Sequence, residues 1–470
     1  MNAGDNPHGS GWQDRWSGRA SAAWQELMSA ALYRPWFDRV ALSSLVDWAL
    51  PLSRAWAAGL EADGDPARFL DQLPGVETVL PLAPLLRRLR GDRQRYDEME
   101  RTWRGAFFGS TAARADLADL QKRRLAAAVR LQTARSYFLP LRLASKLPAI
   151  RFDIAPPGVV QQVHGARLAH PDRAFALPDQ AADLQLSAAY EVDGVRHRWL
   201  RFTAPTMPGD TAWARIAEPA ADEPWATLIL LHGIGVDSEF WPDPRDFGSR
   251  AAELGLRLVQ PEGPWHGRRR AAGFYGGEPV LARGPLGMLD YLHAAVVEAG
   301  LLVSWAHAAG SGPVALGGIS LGALTSQTAA GACRHWPAAA RPDAMFLIAP
   351  GGSFVKISME SALPRELKVP EQLRRKGWSV DRLAHWLPLA GADQAPAIAP
   401  GHIVAALGSA DEITHTADAE AMLRRWQVPA ENVFVAEKGH FSLSLDVHGL
   451  RQPLERLLAI LRDAQGTAGR

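Results

Sequence analysis

From the first residue to about 150, apolar positions recur three and four apart with few strand-like runs, the periodicity of amphipathic helices. Trp16, Trp24, Trp36, Trp48 and Trp56 punctuate this stretch, and mixed charges crowd Arg87 to Arg104. The charges read as a solvated helix face. The tryptophans read either as core side chains or as a face for a greasy substrate or a membrane surface. From 151 to about 220 the texture changes to Pro156-Pro157 and turn formers, then to two β-prone runs, Leu184 to Val192 and Val195 to Thr203. Asp193-Gly194 between them signals a tight hairpin, and a further strand is expected over Ala212 to Ala217.

Beyond Glu223-Pro224, short continuous apolar runs alternate with helical stretches: Thr227 to Leu231, Leu256 to Gln260, Val314 to Gly317, Met345 to Ala349, Ile403 to Leu407 and Asn432 to Val435. Such runs, apolar on both faces and separated by helices, predict a mostly parallel sheet covered on both sides, an α/β core over 221–465. About fifty residues separate Ala349 from Gly401, more than a connection requires. Their apolar stripes, from Phe354 through Leu363 and Trp378 to Trp386, predict a helical insertion over about 352–400, either a cap above the site or plain packing.

Composition narrows the classes. The 470 residues are 47% hydrophobic and 21% charged, with 51 basic against 50 acidic side chains, which gives no footprint for nucleic acid. The single cysteine, Cys333, closes no intrachain disulfide and builds no thiolate metal cage, and such usage fits a reducing, cytoplasmic location; no metal and no cofactor are expected. Met1 to Ala30 lacks the organisation of a secretory leader. Asp47, Pro51 and Arg54 interrupt the apolar stretch Val40 to Leu60, so no transmembrane segment is expected there. Peripheral contact with a membrane stays open, as does the oligomeric state.

In a parallel sheet, ligands sit beyond the carboxyl ends of the strands, so the residues that follow each strand carry the chemistry. After Val314 to Gly317 comes Gly318-Ile319-Ser320-Leu321-Gly322 and then a helical stretch. That places G-x-S-x-G at a strand-to-helix turn, where a serine hydroxyl projects and the following amide faces developing negative charge. The first core strand ends in Leu231-His232-Gly233-Ile234-Gly235, a loop whose Ile234 amide would pair with that of Leu321 as an oxyanion hole, with His232 holding the loop by hydrogen bonding. An acid and then a histidine should follow the serine, each past a strand. Asp411 and His440 fit, with Glu412 and Asp418, and His415 and His448, as competitors. Ser320 would be the nucleophile, His440 its base and Asp411 the residue fixing the imidazole.

Together, Leu231 to Gly235, Gly318 to Gly322, Gly408-Ser409-Ala410-Asp411 and Gly439-His440 resemble the α/β-hydrolase superfamily over about 210–465. Pro261 to Arg268, then Gly284 to Gly287, resemble a little-characterised abhydrolase branch with an aromatic-glycine-arginine loop before the nucleophile. The resemblance implies a serine hydrolase of esterase or lipase-like activity on a small-molecule or lipid-like ester. A thioester, an amide, an activated C–C bond, or a non-catalytic binding role on the same scaffold stay open. Gly235, Trp265, His266 and Arg268 are candidates for a substrate-binding rim. The arginines Arg268 to Arg270 would either grip an anionic group or pair with nearby carboxylates such as Glu262 and Glu278. Cys333 reads as a small buried hydrophobe.

Overall fold

The computed structural model describes residues 34–78, 80–109, 116–178, 183–236, 247–310, 312–391, 394–446 and 449–468. Met1 to Ala30, with Trp16 and Trp24, and His448 lie outside the described residues.

Among the described residues, ten strands form one sheet: β1 (Gln185–Leu186), β2 (Tyr190–Val192), β3 (Val195–Thr203), β4 (Thr211–Pro219), β5 (Ala226–Leu231), β6 (Leu256–Pro261), β7 (Val314–Ile319), β8 (Ala344–Ile348), β9 (Ile403–Gly408) and β10 (Val433–Ala436). Their spatial order is β1-β3-β4-β6-β5-β7-β8-β9-β10, with β2 on β3. From β6 to β10 every pair is parallel, and β3 and β4 add on antiparallel. The chain steps from β5 to β6 in one direction and returns across β5 to β7 in the other. A crevice therefore opens between the ends of β5 and β7. With helices on both faces and a serine at the turn after β7, this is the α/β-hydrolase architecture that the motifs implied.

Asp193 and Gly194 both have positive φ, 51° and 77°, the two-residue turn expected from the sequence. The strand expected over Leu184 to Val192 is split into β1 and β2. Ser187 accounts for the break: its hydroxyl takes the N–H of Trp199 at 2.9 Å, while the N–H of Ala188 turns away to the carbonyl of Phe107 at 2.7 Å.

The described amino-terminal residues are helical as expected. They include α1 (Pro35–Ser44), a π-helical turn (Leu45–Ala49), α2 (Leu50–Ala62), α3 (Leu82–Phe108) and α4 (Leu117–Thr133). Trp56, Leu60, Phe69, Leu86, Leu89 and Phe138 form their core, with Tyr275 of the α/β part packed into it. The tryptophans divide. Trp56 is buried, whereas Trp36 and Trp48 are 50% and 41% exposed. The charged run of α3 is not wholly solvated. Asp92 and Glu100 are buried, Asp92 accepting from the Tyr137 hydroxyl and Arg130, and Glu100 pairing with Arg124 and Arg268.

The long helix α5 (Pro285–Ala308), apolar enough to cross a bilayer by length and composition, is instead mostly buried against the sheet. Helix α6 (Leu321–Ala332) follows β7 and is buried along its whole length. In the insertion, Leu373, Trp378, Leu383 and Trp386 join the main core, with Trp378 Nε1 donating to the carbonyl of Ala155 at 2.8 Å. Most of the insertion is therefore packing. Its contribution near the serine is α7 (Ala362–Glu366), through Leu363.

Candidate active site

The register Leu231↔Gly318 between β5 and β7 sets the two critical loops side by side. Ser320 leaves β7 with φ 55° and ψ −113°, a strained conformation for a residue with a side chain. The turn is held by the Ser320 N–H to the carbonyl of Ile348 at 3.0 Å and by the Leu324 N–H to the carbonyl of Ser320 at 3.0 Å. The flanking glycines are steric necessities. A Cβ on Gly318 would collide with the backbone of Gly322, and one on Gly322 with the carbonyls of Leu231 and His232.

Past β10, α8 (His440–Leu445) begins with His440, and past β9 lies Asp411. His440 Nε2 is 2.8 Å from Ser320 Oγ, and its Nδ1 is 2.7 Å from Asp411 Oδ2. Asp411 also accepts the N–H groups of Ile413 and Thr414, both at 2.8 Å, and the Thr414 hydroxyl at 2.7 Å. Burial alone would raise the Asp411 pKa, but the His440 imidazole and the Thr414 donors outweigh it and hold the carboxyl down at about 2. For His440 the balance runs the other way. Burial opposes the imidazolium, yet the adjoining Asp411 carboxylate, with a smaller contribution from Asp38, raises its pKa above the usual 6.5.

The competitors lie elsewhere. Glu412 is exposed, Asp418 is bonded to Lys356 at 2.6 Å, and His415 precedes the helix Thr416–Arg425. Thr414 was overlooked in the sequence, although Asp411-x-x-Thr414 has the spacing of a side chain closing its own turn.

Two histidines pin the loop after β5. His232 Nδ1 contacts the carbonyl of Gly233 at 2.7 Å while its Nε2 accepts the Gly263 N–H at 2.8 Å. His266 Nδ1 contacts the carbonyl of Pro264 at 2.8 Å and its Nε2 accepts the Gly235 N–H at 3.1 Å. Each pattern assigns the Nδ1–H tautomer of a neutral ring. Burial keeps both rings neutral, lowering His232 to about 4 and His266 well below its usual value. Between these anchors, the Ile234 and Leu321 N–H groups meet no acceptor among the described residues, and Gly233 lies beside Ser320.

An apolar cavity of about 210 Å³ adjoins Ser320 and His440, walled chiefly by Leu45, Ile234, Phe247, Leu363, Ile413 and Leu445. Leu45, from the amino-terminal region, is a wall the sequence did not announce. The rim expected from Trp265, His266 and Arg268 is not there. Trp265 is buried among Val280, Leu292 and Phe354, and His266 is enclosed behind Gly235. Arg268 is enclosed too, paired with Glu262 and, at 3.0 Å, with Glu100, its guanidinium 4.2 Å from the Trp199 ring centre. Gly235 stays with the loop it belongs to. Arg269 pairs with Glu298 at 2.7 Å and with Asp210, and Glu278 pairs with Arg54 at 2.9 Å rather than with the triplet. Cys333 is buried, its thiol pushed up to about 11 by desolvation.

No family model matches the sequence, and no curated protein matches it. Among solved structures, the fold is similar to acetyl xylan esterase 1 from Thermoanaerobacterium sp. JW/SL YS485, 14% identical, over 64% of this chain and 96% of that one, with a TM-score of 0.44. It is similar also to an acetyl xylan esterase from Paenibacillus sp. R4, at 14% identity over 65% and 96% of the two chains and a TM-score of 0.43. An S-formylglutathione hydrolase from Agrobacterium tumefaciens is 16% identical over 59% and 100%, with a TM-score of 0.38. At these values the likenesses carry no argument about the reaction, which rests on the residues themselves.

Proposed function

We propose that this protein is a serine hydrolase that cleaves a carboxylic ester through an acyl-enzyme on Ser320. The observation that carries the reading is the continuous relay from Ser320 Oγ through His440 to Asp411, at 2.8 and 2.7 Å. Ser320 Oγ attacks the ester carbonyl carbon as its proton passes to His440 Nε2. The carbonyl oxygen, now negative, is held by the N–H groups of Leu321 and Ile234, which have no competing internal acceptor among the described residues. The imidazolium, steadied by ionised Asp411, returns the proton to the departing alkoxide, leaving Ser320 acylated. Water then gives its proton to His440 and attacks the acyl carbon, and the reverse proton transfer frees Ser320.

The apolar walls favour a hydrocarbon acyl or aromatic group. The cavity, about 210 Å³, is smaller than the roughly 300 Å³ at which pockets for drug-sized ligands begin, which favours short to medium chains. A thioester fits the same chemistry. An amide demands better protonation of its leaving nitrogen and is the weaker candidate.

The test is labelling with a fluorophosphonate, comparing wild type with Ser320→Ala, followed by a chain-length series of chromogenic esters. Labelling should vanish in the variant, and labelling that persists would overturn the assignment. A second reading, a substrate drawn from a lipid surface, is favoured by Trp36, Val40 and Leu445, which are 50%, 55% and 47% exposed on α1 and α8, two helices packed on one another beside the cavity. Sedimentation with liposomes at low salt tests it, and protein left wholly in the supernatant would remove it.

A further inference from the structure

Asp38, on α1, lies some four hundred residues before the catalytic histidine in sequence, yet its carboxylate meets the chain on both sides of it. Oδ1 accepts the Phe441 N–H at 2.6 Å. The Ser442 N–H is shared between the two oxygens at 3.4 and 3.3 Å, and the Ser442 hydroxyl donates to Oδ2. That same hydroxyl accepts the Gly439 N–H at 2.8 Å, so the carboxylate holds residues 441 and 442 directly and residue 439 through the Ser442 hydroxyl, with His440 between them. A Cβ on Gly439 would stand within 2.7 Å of the Asp38 carboxyl, so a larger residue there would push that carboxyl aside. Arg34, one turn earlier, pairs with Glu437 at 3.1 Å on the exposed flank of the same contact.

We infer that Asp38 is a positioning residue for the proposed hydrolysis: through these hydrogen bonds the amino-terminal region aims the His440 imidazole at Ser320. The inference rests on the hydrolase reading above. It assigns to the amino-terminal helices, which neither the motifs nor the fold explain, a part in assembling the active site. Charge adds to the anchoring. Among the described residues, the charged groups facing His440 are Asp411 from the loop after β9 and Asp38 from α1. On its own loop, Glu437 is paired with Arg34 and Lys438 with Asp446, so those charges are largely compensated. Asp38 therefore acts on His440 both as an anchor and as a second negative charge.

The two roles separate in Asp38→Ala, which loses both, and Asp38→Asn, which keeps an acceptor oxygen and loses the charge. The full-length protein is assayed for kcat and KM on a chromogenic ester from pH 5 to 9 and for fluorophosphonate labelling, with melting curves to establish the folded fraction. Asp38→Ala should lower kcat by about tenfold or more with KM within about twofold, since a small misalignment of a reacting group is costly to rate. With a negative charge removed, the imidazolium loses support, its pKa falls, and the acid limb of the profile moves to lower pH. Asp38→Asn should recover part of kcat while keeping the displaced limb. If wild type labels at Ser320 and Asp38→Ala retains both kcat and the acid limb, the inference is overturned. It is overturned equally if kcat falls only as the folded fraction falls and the limb stays in place. Wild type that fails to label at Ser320 overturns the hydrolase reading, and this inference with it.

Discussion

Glu100, on α3 of the amino-terminal helices, and Arg268, on the loop after β6, form a buried ion pair at 3.0 Å across the boundary between the helical region and the sheet. Glu100 also accepts from Arg124 at 2.9 Å and from Arg104 at 3.0 Å, and Arg268 is bounded by Trp103, Trp199 and Trp213. Two parts of the chain that the sequence presents as separate are thus joined by charges neither can leave in isolation.

Glu100→Gln should therefore destabilise the whole protein, by about 3 kcal/mol or more, because it leaves buried arginines short of an anion. Its pH dependence has a definite sign. Burial works to raise the Glu100 pKa, but Arg268, Arg124 and Arg104 bring it from the usual 4.5 down to about 2. A depressed carboxyl stabilises the fold above its unfolded pKa, and that contribution disappears as pH falls from about 4.5 to 2. Urea titrations at pH 7 and pH 3 should show the gap between wild type and variant narrowing in acid. A gap independent of pH would contradict the ionic account.

Asp411→Asn should leave the fold intact and reduce kcat by about 10³ to 10⁴, since an amide in place of the carboxylate neither fixes the same tautomer nor supports the imidazolium. With the carboxylate gone the His440 imidazolium loses its main support, so the acid limb of the profile should move to lower pH and the loss should be largest on the alkaline side of the wild-type limb. Thr414→Val removes only one of the four donors to Asp411, and a loss of about tenfold is expected. Steady-state kinetics on a chromogenic ester, with circular dichroism to verify folding, checks both.

Leu45 and Leu363 face the same cavity from the amino-terminal region and from α7. Leu363→Ala should enlarge it and move the preferred acyl chain longer. Each additional buried methylene is worth about 0.8 kcal/mol, or roughly fourfold in kcat/KM. Leu45→Phe should shorten the preference. A chain-length profile unmoved by either change would remove this cavity as the acyl site.

The sheet and the relay were legible because their signals are local. A buried strand is a continuous apolar run, and Gly318 to Gly322 contains in five residues the steric demands of its turn. Asp411 and His440 could be placed because each follows such a strand. Arg268 was misplaced at a rim because strand-end position says which end of the sheet a residue occupies, not whether a neighbouring helix covers it. Its partner Glu100 lies 168 residues earlier. Asp38 and Leu45 were invisible for the same reason. Nothing in Phe37-Asp38-Arg39 distinguishes a carboxylate that meets the loop carrying His440 from one that meets water.

His266 provides the last test, because its place behind the loop after β5, the proposed oxyanion loop, gives it a pH behaviour different from that of His440. Its Nε2 holds the Gly235 N–H beside Ile234, so His266→Phe should free that loop. Loss of a preset donor costs about 10² in kcat, and KM should change little, since His266 does not line the cavity. Buried neutral histidines also limit stability in acid. Burial lowers His232 from 6.5 to about 4 and holds His266 well below its usual value, so the unfolded chain takes up protons that the folded one refuses. Stability should fall as pH drops below about 6.5, by about 3 kcal/mol for His232 alone once pH reaches 4. In His266→Phe the melting temperature should decline less steeply between pH 6.5 and 5 than in wild type, since one such proton uptake is gone. An identical slope would mean that His266 is protonated in the folded state, which would leave its Nε2 unable to accept the Gly235 N–H.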